Sequence, residues 1–255
     1  MIAKITIEKT EEAKNKYRKN SILEALVKEY LQTGEPVASD ILNVKYRLGV
    51  SSATIRNYFV VLTEKGYLYK PYISSGRIPT DKAWKFFIER ISDEEYDFLD
   101  HWEKIFLNQL SKIGFKSAEN KQNTEKIKKL VELIAEKSHS FSFCYLIQEE
   151  ELIKQGLKYI FAEMMAEELL NLELLQEIAE SLEKLDLKLK KIKIDQTPLV
   201  LIGKDNPFIK SDQFSSLLTA VSRPKAIFGI LGPKRMPYER NIAILRALTK
   251  SYAYV

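Results

Sequence analysis

SSATIRNYFVVLTEKG, residues 51–66, reads as a helix with a start, a stop and two faces. Ser51 is placed to cap a helix running from Ser52 to Lys65, and Gly66 sits where a left-handed C-terminal residue is wanted. At about 100° per residue, Ile55, Phe59 and Leu62 fall on one apolar face. Ala53, Thr54, Arg56 and Asn57 point elsewhere and occupy the first turns. Upstream, Leu48-Gly49-Val50 is a tight turn, and Ser39–Tyr46 fits a short helix with Ile41, Leu42 and Tyr46 inward. Before that, Ser21 can cap a helix to about Thr33. Its stripe of Ile22, Leu23, Leu26, Val27, Tyr30 and Leu31 has helical period, and Gly34 and Pro36 end it. Helix, short helix, glycine-containing turn, helix is the helix-turn-helix order. Downstream, Tyr67–Lys70 reads as a strand, Pro71–Gly76 as a turn and Arg77-Ile78 as a returning strand. This wing carries Arg77 near its tip, beside the flexible Ser75-Gly76 pair. Thr80 then caps a helix from Asp81 to Ile91 whose apolar face is Trp84, Phe87 and Ile88.

A helix-turn-helix meets base edges with the N-terminal part of its third helix. Arg56 can present a fork to guanine, Asn57 can pair with adenine, and Ala53 or Thr54 can touch a thymine methyl. Ser51 and Ser52, with the open amides of the helix start, suit a phosphate, and so does Lys70. Arg77 on a flexible loop suits a narrow minor groove. The plainer alternatives are the solvated face of an amphipathic helix and a loop arginine in a surface salt bridge. Charge bears on the choice. Formal net charge is +5 overall, but residues 14–90 carry +7 and the remainder −2. A basic first third on a near-neutral body fits a phosphate-binding module joined to another domain, and also an ordinary lysine-rich surface.

At 255 residues with 45% hydrophobic content, the chain is long enough for two domains and apolar enough for packed cores. Its one cysteine, Cys144, rules out an intramolecular disulfide and fits a reducing compartment. Met1–Thr10 lacks the apolar stretch of a signal peptide, and no apolar run reaches the length of a membrane span, so a cytoplasmic protein is expected. Catalytic constellations are missing from the pattern. His101 and His139 have no cluster at metal-ligand spacing, Gly203-Lys204 lacks the other residues of a phosphate loop, and Cys144 lies in an apolar strand where a buried thiol is inert. Neither an enzyme nor a metal or cofactor site is expected.

Residues 93–113 and 124–137 are helical in pattern. Phe98, Trp102, Ile105, Phe106, Leu110 and Ile113 form one stripe, read either as a dimer contact centred on Phe98, Trp102 and Phe106 or as packing within the domain. Strands are read at 141–147, 157–161, 189–194, 198–202, 217–221 and 226–231, with helices at 169–185 and 239–252. This mixture predicts an α+β fold.

Several exact runs resemble the heat-inducible transcription repressor family HrcA. They are ALVKEYLQTGEPVASDIL (25–42), LGVSSATIRN (48–57), SSGRIPTDKAWKFF (74–87), PLVLIGKDN (198–206) and GILGPKRMPYERNIAIL (229–245), the last with the signature Gly-Pro-x-Arg-Met-x-Tyr. The resemblance implies a winged helix-turn-helix followed by a helical segment and a GAF-like α/β domain with a dimerising insertion. It implies a homodimer that represses chaperone genes by binding double-stranded DNA at an inverted-repeat operator, CIRCE. The GroE chaperonin promotes that activity, heat shock relieves it, and the repressor associates with the nucleoid when bound to its operator. The chain is shorter than typical members and the deficit falls in the middle, which implies a reduced insertion. Tyr58, where the family usually has an acid, and Val60-Val61 are departures. The expected division is a tail at 1–13, the winged helix at 14–91, the helical dimerisation segment at 92–139 and the GAF-like domain at 140–255. A metabolite-responsive regulator, or a winged helix serving as a protein-interaction module, are the alternatives.

Overall fold

Helix α1 runs from Ile2 to Thr33 in the computed structural model, which describes residues 2–93, 97–112, 124–166, 171–194, 198–222 and 225–253. The chain divides into two compact units, Met1–Asp93 and Glu94–Val255. In the first, α1 is followed by α2 (Ser39–Tyr46), α3 (Ser52–Glu64), a ribbon of β1 (Leu68–Tyr69) and β2 (Ile78–Pro79), and α4 (Asp81–Asp93). The start of α1 differs from the reading that put a cap at Ser21 and a tail at residues 1–13. Ser21 lies mid-helix, its hydroxyl donating to the Tyr17 carbonyl at 3.1 Å. An apolar stripe marks only the part of a helix that packs into a core, so it does not mark where the helix begins.

Ile22, Leu23, Leu26 and Val27 of α1 bury against Leu42 of α2, Ile55, Phe59 and Leu62 of α3, and Trp84, Phe87 and Ile88 of α4. Ile41, expected inward, is exposed, because one helical step of about 100° separates it from Leu42. Thr80 stands at the start of α4 as expected, its carbonyl accepting from the Trp84 amide at 3.1 Å, but its hydroxyl donates to the Gly66 carbonyl at 2.7 Å, with the Tyr67 carbonyl at 3.0 Å, and so ties α4 back to the end of α3.

The second unit holds α5 (Asp97–Lys112), α6 (Thr124–Ser138), β3 (Phe141–Leu146), β4 (Glu151–Gln155), α7 (Leu157–Ala166), α8 (Leu172–Glu183), α9 (Leu185–Leu189), β5 (Leu199–Ile202), β6 (Phe214–Val221), β7 (Ala226–Pro233) and α10 (Tyr238–Ala253). The five strands form one sheet in the order β4-β3-β7-β6-β5, every pair antiparallel. The fold class is α+β, as the pattern predicts.

Side chains alternate across this sheet. Phe141, Phe143 and Tyr145 of β3, Phe214 and Leu218 of β6, and Ile227 and Leu231 of β7 face a core filled by Ile160 and Met164 of α7, Leu174, Ile178 and Leu182 of α8, and Leu185 and Leu189 of α9. Opposite Phe143 the register places Gly229. A Cβ there would stand 2.1 Å from the Phe143 ring, so the ring occupies the space a side chain would need. The other face of the sheet packs on α6 and α10; there the Thr219 and Thr249 hydroxyls meet at 2.8 Å.

Two expected strands are absent. Residues 157–161 are helical, because Ile160 and Met164 bury at a spacing of four while Gly156, at φ +82°, ends β4 just before them. Leu189 ends α9, where Leu185 and Leu189 again bury four apart, and residues 190–194 follow it without a strand. Local runs of branched and aromatic residues suggested strands, and the packing face decided otherwise.

Of the stripe read either as a dimer contact or as packing within the domain, Phe106 and Leu110 pack inside their own unit. Phe106 is 1% exposed, α5 lies on α10, and the guanidinium of Arg240 sits over the half-buried Trp102 ring at 5.8 Å. A side chain already removed from water offers no area to a partner. Phe98 falls on α5, and its side chain, like all of Ile113, is outside the described residues.

Candidate nucleic-acid interface

Helix α3 is set by contacts at both ends. Ser51 caps it from extended backbone, its Oγ accepting from the Thr54 amide at 3.1 Å and meeting the Thr54 hydroxyl at 2.9 Å. The preceding turn holds Arg47 at φ +46° and Gly49 at φ +67°, two left-handed residues that reverse the chain between α2 and α3. With Ile55, Phe59 and Leu62 buried, the opposite face presents Ala53, Arg56 and Asn57 fully and Ser52 and Thr54 in part. The structure therefore brings six of the proposed contact residues, Ser51 to Thr54 with Arg56 and Asn57, onto one helix start. Val60 and Val61 continue the exposed face toward the C-terminus.

The angle of α2 against α1 depends on a buried carboxylate. Glu29 is 4% exposed; it pairs with Lys45 at 2.6 Å and accepts from the Tyr46 hydroxyl at 3.1 Å. Burial first, and the hydrogen bond to Glu29 and its charge next, push the Tyr46 phenol above its ordinary range, which keeps it a donor. Tyr58, the family departure, also has a structural role: its hydroxyl donates to Asn15 of α1 at 3.2 Å.

Lys70 is exposed just after β1. Arg77 lies elsewhere than expected. Its backbone forms an antiparallel bridge with Val37, both bonds 2.9 Å, and its Nε donates to the Thr63 hydroxyl at 3.3 Å. The guanidinium is thereby drawn onto α3. The tip belongs instead to Tyr72 and Ile73, the latter 94% exposed, in a turn closed by Ser75, whose Oγ accepts from the Tyr72 amide at 3.0 Å and donates to its carbonyl at 2.8 Å. Gly76 is a packing requirement more than a source of flexibility, since a Cβ there would lie 2.3 Å from the Val37 carbonyl oxygen.

A cationic cluster at the other end of α3 was not singled out from sequence. Lys19 has its pKa lowered by burial first and by neighbouring Lys65 and Lys16 next. Ammonium groups gathered like this favour an anion between them. The signal was present as Lys14-Asn15-Lys16-Tyr17-Arg18-Lys19 on the extension of α1.

Elsewhere, burial pushes the Cys144 thiol well above its ordinary range, which disfavours the nucleophilic thiolate. Among the described residues no cluster of three or more His, Cys, Asp or Glu could hold a metal ion, and no helix is long and apolar enough to cross a membrane. The Gly232–Tyr238 signature turns inward: Met236 and Tyr238 are buried, and the Tyr238 hydroxyl donates to the Lys234 carbonyl at 2.8 Å.

Comparison with known proteins adds four findings. The family described as "HrcA protein C terminal domain" matches residues 88–242, more than half of the chain. A "Heat-inducible transcription repressor HrcA" of Thermobifida fusca (strain YX) is 49% identical over 75 residues, 29% of this chain and 22% of that protein. One of the same name from Alkaliphilus metalliredigens (strain QYMF) is 40% identical over 97 residues, 38% of this chain and 28% of that protein. These alignments thus span about a quarter of the length of the relatives. The fold is shared with a solved structure described as "Crystal structure of a hypothetical protein at 2.2 A resolution", with a TM-score of 0.69 and 17% identity over 93% of this chain and 98% of that one.

Proposed function

The chain belongs to the HrcA family, and from that premise we propose that it is a DNA-binding transcriptional repressor of heat-shock genes rather than an enzyme. On this reading Met1–Asp93 is a winged helix-turn-helix with α3 as the recognition helix, and Glu94–Val255 is a GAF-like domain. The observation that carries it is the exposed start of α3, where Arg56 and Asn57 stand beside Ala53 and the Thr54 amide capped by Ser51, while Ile55, Phe59 and Leu62 anchor the helix in the core. The alignments with the two curated relatives, 49% and 40% identical and both named as repressors, support it.

The proposed roles are base readout by Arg56, Asn57, Ala53 and Thr54, and phosphate contact by Ser51, Ser52 and Lys70. Arg77, drawn onto Thr63, would support the wing and meet the backbone from its root. The operator is taken to be an inverted repeat of the CIRCE type. A two-fold operator asks for a homodimer, and such a dimer must use surface other than the buried Phe106. Activity at growth temperature is taken to depend on the GroE chaperonin and to fail on heating.

A gel shift on an inverted-repeat chaperone-operon promoter, titrated with salt, tests the reading. Arg56→Ala is expected to lose about 1–3 kcal/mol of operator binding and to relax sequence preference. Lys70→Ala is expected to weaken all DNA alike and to flatten the salt slope by about 1. Equal affinity of the wild type for operator and for scrambled duplex at every salt concentration removes the repressor assignment. Repeating the shift across a temperature ramp, with and without chaperonin, tests the heat response separately.

A further inference from the structure

Strand β4 is the outer strand of the large sheet. It pairs with β3 along one edge, and no described strand pairs with its other edge. A cleft of about 710 Å³ opens at the C-terminal end of β4. One wall is Ala135 of α6, a helix on one face of the sheet; the other is Ala179 and Leu182 of α8, a helix on the opposite face. Lys154 and Gln155, consecutive on β4 and so directed to opposite faces, both line it. A cavity bounded by both faces and by successive residues of an outer strand straddles the sheet edge. Unpaired amides and carbonyls of such an edge are a template for another strand.

The walls specify what kind of strand. In each an apolar side chain is buried, Ala135 or Leu182, and a carboxylate is exposed, Glu132 on the α6 side and Glu183 on the α8 side. The two lysines of the cleft are already engaged by the protein. Lys154 donates to the Leu182 carbonyl at 3.3 Å, and Lys158 lies over the Tyr159 ring at 5.1 Å. Lysine and arginine combine an aliphatic stem with a cationic head, and so can lay the stem on Ala135 or Leu182 and reach the carboxylate above. We propose that this edge receives an extended peptide segment of another protein as a sixth strand, with lysine or arginine directed to both walls. The backbone of β4 supplies the pairing, as in other cases of strand addition, and the acidic rims select the side chains. The surface is independent of the DNA-binding reading, since it uses no residue of Met1–Asp93.

The probe is the pentapeptide acetyl-Lys-Lys-Val-Lys-Lys-amide, titrated into the full chain, with amide hydrogen exchange as the second readout. Two further versions carry N-methyl groups on alternate peptide nitrogens, one on each set. Strand addition points only one set at β4, so one version should bind at least tenfold more weakly while the other binds as the parent does. Exchange should slow at Glu151–Gln155. The double substitution Glu132→Lys/Glu183→Lys should weaken the parent peptide at least tenfold. Equal binding of both methylated versions would mean charge attraction alone and overturns the proposal, a conclusion reached on the unaltered protein. Failure of the parent peptide to bind overturns it too, including the case where a second copy of the chain already covers the edge, which would show as β4 exchange that quickens on dilution.

Discussion

Both units bury a carboxylate, Glu29 in Met1–Asp93 and Glu103 in Glu94–Val255, but the core of the second is built around a set of phenylalanines. Glu29 holds α2 through Lys45 and Tyr46, Ser51 caps α3, Tyr58 reaches Asn15, and Thr80 ties α4 to Gly66. Each is a polar contact joining two elements at a fixed angle. The second unit has polar ties as well, Glu103 to Lys250 and Thr219 to Thr249, but its sheet core adds shape: Phe143 against Gly229, with Phe208 edge-on to Phe143 at 6.1 Å. Both units leave large apolar side chains in water, Val44 and Ile73 in the first and Met165 and Leu172 in the second, but β7 of the second is buried along its whole length. A small helical unit has too little core to fix its angles by packing, and directional bonds do so at about 1 kcal/mol each. A five-stranded sheet covered on both faces is fixed by close packing, where one added methyl is felt.

The sharpest break in this comparison is Gly229→Ala. The added methyl meets a ring that cannot move within its core, and a loss of about 3 kcal/mol is expected, read by denaturant unfolding and by faster amide exchange across β3, β6 and β7. Combining it with Phe143→Leu should recover part of the loss. Strict additivity of the two would mean that shape is not what couples them. Gly76→Ala comes next, at about 2 kcal/mol, because the methyl collides with the Val37 backbone and opens the Val37–Arg77 bridge. Exchange should quicken at Val37 and Arg77 and stay unchanged in the large sheet. Glu29→Ala is expected to cost about 1.5 kcal/mol, the size of a hydrogen-bonded charge whose partner Lys45 still reaches water. Nuclear magnetic resonance should find α2 displaced with the rest of the unit intact, and an unmoved α2 would demote the carboxylate to a bystander. Smallest is Ser51→Ala, about 1 kcal/mol for a lost cap, seen as fraying of the first turn of α3.

Much of the first unit was legible because its signals are local. The bounds of α2, the Ser51 cap and the buried face Ile55, Phe59 and Leu62 follow from periodicity and capping residues alone. The exposed start of α3 follows from the same arithmetic. What misled was one-sided evidence. Residues 157–161 carry branched and aromatic side chains that suit a strand, yet Ile160 and Met164 lie on a helix because the phenylalanine core needed filling from that side. Trp102 and Phe106 formed a correct stripe whose partner could not be named from spacing, and α10 proved to be that partner. Arg77 looked free because glycine and serine precede it, whereas Gly76 is there to let two backbones approach.

By itself, then, the sequence determined the order of elements in Met1–Asp93, the α+β class, the polar start of α3 and the family runs at both ends. These rest on interactions within a few residues of one another, and helix period and capping chemistry encode them directly. Tertiary structure alone decided the strand order β4-β3-β7-β6-β5, the burial of Phe106, the recruitment of Arg77 to Thr63 and the open edge beside Glu132 and Glu183. Those features join residues far apart along the chain, and which apolar face meets which is settled only when all of them compete for the same core.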